Sequence, residues 1–465
     1  MKINKSLLLT ALIAGTATLG FWWGPHITPP IVQKIADTDN LEGITLAEPL
    51  WGSQGLAVVF VNTQKFPARE LAKRVAATGL SVAVIDSWQV FNEFNFETNQ
   101  CLDSKFVDAS IKAVTKALPI TPFIPTVPRW LAEYLPIQPA NHLIVAGITE
   151  GALIPFINAQ GQNNASNLSI GFSVELPTDL SLCPPLSSQN QNDHISLVSA
   201  AGLQSKWRSV WTDQPKSETG VFIKNLGNVD TRIAAYDTPL DTLLLDELNV
   251  AIGHSDNSVP MPVVEVPTAK HSDTLTLFYS GDGGWRDLDR TIAGEMVALN
   301  YPVVGVDVLR YFWEHKTPEQ AATDLSATMA YYRKNWGVKS FVLAGYSFGA
   351  DILPAIYNRL PAQDKDSVPL LALIALANHA DFEIHVAGWL GQSGAERPLA
   401  PELAQITKNK ILCVYGNEEV DETACTSLQN TEATILELPG GHHFDEDYPK
   451  LTRKILDVYQ QHGIN

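Results

Sequence analysis

Short, nearly continuous apolar runs recur along this chain and alternate with longer stretches of helical period. "LAVVFV" (56–61) is followed by "ARELAKRVAATGL" (68–80), and "SVAVIDSWQVF" (81–91) comes next. The second half repeats the order: "TLTLFYSGDG" (274–283), "DLDRTIAGEMVALN" (287–300), "PVVGVDVLRYF" (302–312). Strands buried on both faces read as such runs, and strands alternating with helices predict parallel α/β sheets. An Asp follows the second run in each half, Asp86 and Asp307.

Each half then reaches a similar turn. "VAGITEGALIP" (145–155) and "LAGYSFGADILP" (343–354) both read apolar run, Gly, one residue, hydroxyl residue, one residue, Gly, helix start, Pro. The hydroxyls, Thr149 and Ser347, lie 198 residues apart. A repeat of that length is a domain, so the pattern predicts an internal duplication. The spacing from Asp86 to Thr149 is 63 residues and from Asp307 to Ser347 is 40. The surplus holds the Pro-rich "PITPFIPTVPRWLAEYLPIQP" (119–139), expected at the surface. "AIGHSDNSVPMPVVEVPTAK" (251–270) has three Pro and no helical period, and reads as an extended linker. The expected layout is a signal or anchor (1–24), a degenerate hydrolase-like domain (40–250), the linker (251–270) and a catalytic domain (271–465).

A length of 465 residues fits two such domains, and 45% hydrophobic with 18% charged residues is a globular composition. The net charge of −18 opposes nucleic acid and anionic surfaces and suits a cationic substrate or a merely solvated surface. "MKINKSLLLTALIAGTATLGFWWGP" has Lys2 and Lys5 before an apolar stretch from Leu7 to Trp23. It reads as a cleaved signal peptide or an uncleaved anchor, and both place the body outside the cytoplasm. Export permits disulfides. Cys101 and Cys183 fall in one half, Cys413 and Cys425 in the other, so those pairs are expected. No Cys/His cluster has metal-ligand spacing, and no cofactor is expected.

In "FVLAGYSFGAD", G-x-S-x-G lies between an apolar run and a helix start, the context of a nucleophile elbow. Ser347 is the expected nucleophile. The amide of Phe348 and that of Asp282, in the loop "YSGDGGW", are the expected oxyanion donors. Gly283, Trp285 and His379 are candidate substrate contacts. The acid should follow a later strand, in "KILCVYGNEEVDETAC". The shorter side chain beside Cys425 favours Asp421, while a common spacing after the glycine favours Glu419; Glu418 is a third carboxylate there. The base comes last, in "ATILELPGGHHFDEDY": His442, directly after the glycines, is preferred and His443 is the alternative. Phe382, Trp389 and Leu390 could touch an acyl chain or simply pack under a loop.

The first half lacks this set. Thr149 brings a β-branch to the elbow, no Gly-Gly-His follows a later strand, and neither His194 nor His254 has such a context. Glu150 stands where the second half has Phe348. A hydroxyl with no base is not activated, so the first domain is expected to be a scaffold, a binding surface or a wall of the substrate cleft.

The motifs "FYSGDGGWRDLDR", "GVDVLRYFW", "AGYSFGADILP", "CVYGNEEVDETAC" and "LPGGHHFDEDY" together resemble the VirJ/AcvB family of bacterial virulence proteins, within the α/β-hydrolases. The resemblance covers most of residues 272–461, and the two-domain layout resembles the long form of the family. It implies a periplasmic protein that hydrolyses aminoacyl-phosphatidylglycerol, especially lysyl-phosphatidylglycerol. It places the nucleophile at Ser347, the acid in the "EEVD" loop and the base in the "GGHH" pair. The implied partner is aminoacylated phospholipid at the membrane surface. A general esterase, or a non-catalytic partner of secretion-system proteins, are the competing expectations.

Overall fold

The computed structural model describes residues 31–34, 41–49, 53–94, 102–118, 142–160, 168–173, 186–191, 194–199, 203, 205–215, 220, 223, 229–254, 259–385 and 397–464. The leader, the insertion at 119–139, Cys101, Cys183, Trp389 and Leu390 lie outside them. No described helix is long and apolar enough to cross a membrane.

The chain divides into two compact units. The first comprises residues up to Thr212, with Glu218–Arg232 and Thr238–Ser255. The second comprises Asp256–Asn465 together with two short segments, Asp213–Ser217 and Ile233–Asp237.

In the first unit the strands are β1 (Ile31–Lys34), β2 (Thr45–Glu48), β3 (Gly55–Val61), β4 (Ser81–Asp86), β5 (His142–Ile148), β6 (Leu168–Phe172), β7 (Leu186–Gln191), β8 (His194–Ser199), β9 (Trp207–Trp211) and β10 (Val229–Ile233). Eight form one sheet in the order β1-β2-β4-β3-β5-β6-β9-β10, and β7 and β8 form a separate hairpin. The pairs β4-β3, β3-β5, β5-β6 and β6-β9 are parallel. Its helices include α1 (Ala68–Ala77), α2 (Ser104–Ala117), α3 (Leu153–Gln160) and α4 (Leu240–Ala251). β3 is buried at every position, which is why it reads as an unbroken apolar run.

The second unit has β11 (Val263–Val266), β12 (Thr274–Tyr279), β13 (Val303–Val306), β14 (Ser340–Tyr346), β15 (Leu370–Ile374), β16 (His379–Ala380), β17 (Arg397–Pro398), β18 (Ile411–Gly416) and β19 (Thr434–Leu438). The main sheet runs β11-β13-β12-β14-β15-β18-β19, and only β11 is antiparallel to its neighbour. Its longer helices are α5 (Asp287–Ala298), α6 (Pro318–Trp336), α7 (Phe348–Arg359) and α8 (Tyr448–Gln461). A Thr317/Gln320 capping box starts α6 and Gly337, with φ 71°, ends it.

The two sheets follow one plan: an antiparallel strand, then two strands out of sequence order, then the elbow strand. These are tandem α/β-hydrolase-like domains. The stretch read as a linker carries a strand of its own. Val263–Val266 pairs antiparallel with β13 and closes one edge of the second sheet, as Thr45–Glu48 pairs antiparallel with β4 in the first, where β1 lies beyond it. Four residues at an edge are too short to show a period. Cys413, at the centre of β18, bridges to Cys425 with an S–S distance of 2.04 Å.

Candidate active site

The elbow in the second unit follows from its two glycines. A Cβ on Gly345 would sit 2.4 Å from the Gly349 carbonyl oxygen, and one on Gly349 would sit 2.4 Å from that of Tyr279. Only hydrogen fits at either place, so β14 turns directly into α7. Ser347 occupies the corner at φ 52° and ψ −123°, a strained conformation for a residue with a side chain. Its amide donates to Ile374 O at 2.9 Å and its carbonyl accepts from Ala350 at 2.7 Å, which hold the strain in place.

The loops after β18 and β19 bring the other two groups to it. His442 Nε2 lies 2.8 Å from Ser347 Oγ, and His442 Nδ1 lies 2.8 Å from Glu419 Oε1. A carboxylate on Nδ1 holds the proton there and leaves Nε2 free to accept from the serine. The acid and base loops are stitched together. The Glu418 amide donates to Gly440 O at 3.1 Å, and the Gly440 amide donates to Asn417 Oδ1 at 3.2 Å. Gly416 lets the histidine loop cross it, since a Cβ there would meet Gly441 O at 2.3 Å. The stitching selects the acid. Glu419 ends the 3-10 turn Asn417–Glu419 beneath His442, whereas Asp421, the carboxylate favoured from sequence, is exposed beyond it. Side-chain length favoured Asp421 and spacing favoured Glu419; the turn draws Glu419 inward.

Tyr346, the residue before the nucleophile, went unnoticed in the sequence. Its hydroxyl donates to His442 O at 3.2 Å and lies 3.1 Å from His443 Nδ1. It ties the histidine loop to the elbow strand and holds His443 to itself, away from Ser347. Burial first, then surrounding carboxylates including Asp289, push the Tyr346 phenol well up.

The loop after β12 is pinned from below. Ser280 Oγ donates to Gly281 O and accepts from the Val308 amide, and Asp307 caps the short helix Val308–Tyr311. Asp289 is buried, and its Oδ1 has no hydrogen-bond partner. Burial, and then the charge of Asp307, push the Asp289 carboxyl well above the usual range. Neither the Asp282 nor the Phe348 amide enters a loop or cap hydrogen bond. The Phe348 amide belongs to the first turn of α7, where no intrahelical acceptor exists. Gly281 lies against the elbow: a Cβ there would be 3.9 Å from Ser347 Cβ.

Residues 273–462 match the family model described as bacterial virulence protein (VirJ). That match lies within the second unit and spans less than half of the chain. No curated protein matches the chain. Among solved structures, it is similar to Est1E from Butyrivibrio proteoclasticus with ferulic acid bound (12% identity, 44% of this chain and 96% of that one, TM-score 0.33). It is also similar to an α/β serine hydrolase homologue from Coxiella burnetii (16%, 42% and 90%, TM-score 0.30). A third is a hyperthermophilic esterase from the archaeon Pyrobaculum calidifontis (15%, 49% and 93%, TM-score 0.33).

Other expected contacts of the second unit separate. Trp285 is a core residue, not a substrate contact. It is 4% exposed and fills the space that a Cβ on Gly305 would take, 2.3 Å away, with its ring edge-on to Phe278. Its place after three glycines suggested a loop, but the loop folds it inward. Gly283 stays in the loop, beneath the Arg286 guanidinium. His379 is exposed on the β16-β17 ribbon, where it pairs with Pro398. Phe382 is buried against Phe312, which in turn contacts Phe348. Asp351, four residues after Ser347, accepts from the Ala377 amide at 2.8 Å. Burial, and after it the charge of Asp282, push the Asp351 carboxyl well up, against that amide. Among the described residues no cluster of His, Cys, Asp and Glu could hold a metal.

The elbow of the first unit has the same backbone. Thr149 has φ 54°, and Cβ atoms on Gly147 and Gly151 would meet Gly151 O at 2.0 Å and Phe60 O at 2.4 Å. The side chains differ. Thr149 Oγ1 donates to Ile148 O at 2.8 Å and to the Glu150 carboxylate. Glu150 also accepts from Asn62 at 3.3 Å and faces Lys65 at 3.9 Å. Burial raises the Glu150 pKa, but the Thr149, backbone and Asn62 hydrogen bonds and the Lys65 charge outweigh it and hold the carboxyl below the usual range.

Proposed function

We propose that the second unit is a periplasmic serine hydrolase that cleaves the aminoacyl ester of aminoacyl-phosphatidylglycerol, with lysyl-phosphatidylglycerol the favoured substrate, and that it serves membrane lipid homeostasis in virulence. The observation that carries the hydrolase reading is the unbroken chain Ser347, His442, Glu419, with both links at 2.8 Å. In this reading Ser347 Oγ attacks the ester carbonyl as its proton passes to His442 Nε2. The negative oxygen of the tetrahedral intermediate faces the amides of Phe348 and Asp282. His442 returns the proton to the departing glycerol oxygen, leaving an aminoacyl-serine. Water, deprotonated by the same imidazole, releases the amino acid. Glu419 orients His442 and stabilises it while charged.

The family match supports a virulence role, and the Cys413–Cys425 disulfide supports an oxidising compartment. Asp282, an exposed carboxylate next to Gly281 at the elbow, favours an acyl group that carries ammonium charge. The proposed partner is the aminoacylated lipid in its bilayer. Purified protein given lysyl-phosphatidylglycerol in micelles, beside Ser347→Ala, tests the proposal. Release of lysine and phosphatidylglycerol by the wild type alone is the expected result. Cleavage of short aryl esters without cleavage of the lipid would reject the lipid assignment. Silence on every ester would replace the enzyme by a binding partner of a secretion machine.

A further inference from the structure

A groove of about 460 Å³ lies along the outer side of α8, lined by its Lys450, Arg453, Lys454 and Gln460 and by Leu299 and Tyr301 just beyond α5. The inner face of α8 accounts for it. Leu451, Ile455, Leu456 and Tyr459 are buried in the core, so residues 450, 453 and 454 fall on one outward stripe. Like charges at that spacing repel one another. Asp457 shares the groove, yet among the described residues none of the three cations has a carboxylate partner. Three arginines elsewhere in this unit are paired: Arg290 with Asp237, Arg333 with Asp364, and Arg359 with Glu319 and Glu402. Leu299 is 53% exposed at the edge of the groove, and Tyr301 packs edge-on to Tyr459.

Three unpaired cations beside an exposed leucine are out of keeping with a chain of net charge −18. The whole-molecule charge repels an anionic bilayer, but within about 8–10 Å of the stripe the local charge decides. We propose that this groove docks the protein on an anionic phospholipid surface, with the cations on headgroup phosphates and Leu299 in the interface. A free phosphate would satisfy the cations and leave the leucine unexplained. α8 begins a few residues after His442, so docking there would tether the histidine loop near the membrane. The choice of bilayer rests on the lipid-ester reading above, but the binding itself requires no hydrolysis.

The test is sedimentation of the full chain with vesicles of phosphatidylglycerol and phosphatidylcholine, or of phosphatidylcholine alone, comparing wild type with Lys450→Gln/Arg453→Gln/Lys454→Gln. The apolar N-terminal segment is common to both proteins and cancels. The expected result is a loss on the order of a hundredfold in affinity for the anionic vesicles only, fading in about 1 M salt, with binding kept by Lys450→Arg/Lys454→Arg. Equal binding by wild type and triple variant would overturn the proposal. So would competition by inorganic phosphate at matched ionic strength, which would give the groove to a soluble anion. Loss of binding in the variant, with neither protein cleaving any ester, would uphold the docking surface and remove the hydrolase.

Discussion

The elbows at Thr149 and Ser347 share a backbone and differ in what their side chains meet. Both corners sit near φ 50°, at 54° and 52°, and both depend on glycines whose missing Cβ atoms make room for carbonyls. Around Ser347 the neighbouring loops deliver an imidazole and a carboxylate. Around Thr149 the hydroxyl is turned onto its own strand carbonyl and onto Glu150, which Asn62 and Lys65 hold. The strained turn is therefore a property of the fold, and the chemistry is a property of the loops around Ser347.

The comparison breaks most readily at the hydroxyls. Ser347→Ala should lower kcat on an activated ester by about 10⁴-fold or more, while Thr149→Ala leaves it within about twofold. Comparable losses in steady-state assays would show that the first unit takes part in catalysis. The carboxylates come next. Glu419→Gln should cost about 10²–10⁴ in kcat, and Asp421→Asn less than about threefold; the reverse order would restore Asp421 as the acid. Gly151→Ala and Gly349→Ala should each destabilise by about 1–3 kcal/mol, measured by denaturant unfolding. A much smaller cost at Gly151 would mean that the first elbow is not held to the same geometry.

Tyr346→Phe should lower kcat by about tenfold, the worth of about one hydrogen bond, with KM little changed. A change in KM alone would put the hydroxyl on substrate. The smallest effect is in pH. The folded pKa of Asp289 is raised, so its stabilising contribution is complete below the unfolded value of about 3.9 and is lost as pH rises through the folded value. That of Glu150 is lowered, so its contribution is present above about 4.3 and is lost as pH falls. Asp289→Asn and Glu150→Gln should therefore flatten the Tm-against-pH curve in opposite senses. Curves parallel to the wild type would contradict both assignments.

Much of this was legible along the chain, because parallel strands buried on both faces leave apolar runs and the elbow needs glycines at fixed offsets. Ser347 and His442 stand at such offsets. Spacing also pointed to Glu419 but side-chain length pointed to Asp421, and what separates the two is the inward turn of a single loop, tied by hydrogen bonds to Gly440 in the loop after β19. Trp285 was misread for a similar reason: its partner is the absent side chain of Gly305. β2 and β11 are strands of four residues, too short to show a period.

The most direct test is a mass-spectrometric map of the whole chain after reaction with a fluorophosphonate, which labels only an activated hydroxyl. The expected result is one adduct on Ser347, absent in His442→Ala, with Thr149 unmodified. No adduct on Ser347, or an equal one on Thr149, would contradict the assignment of chemistry to the second unit.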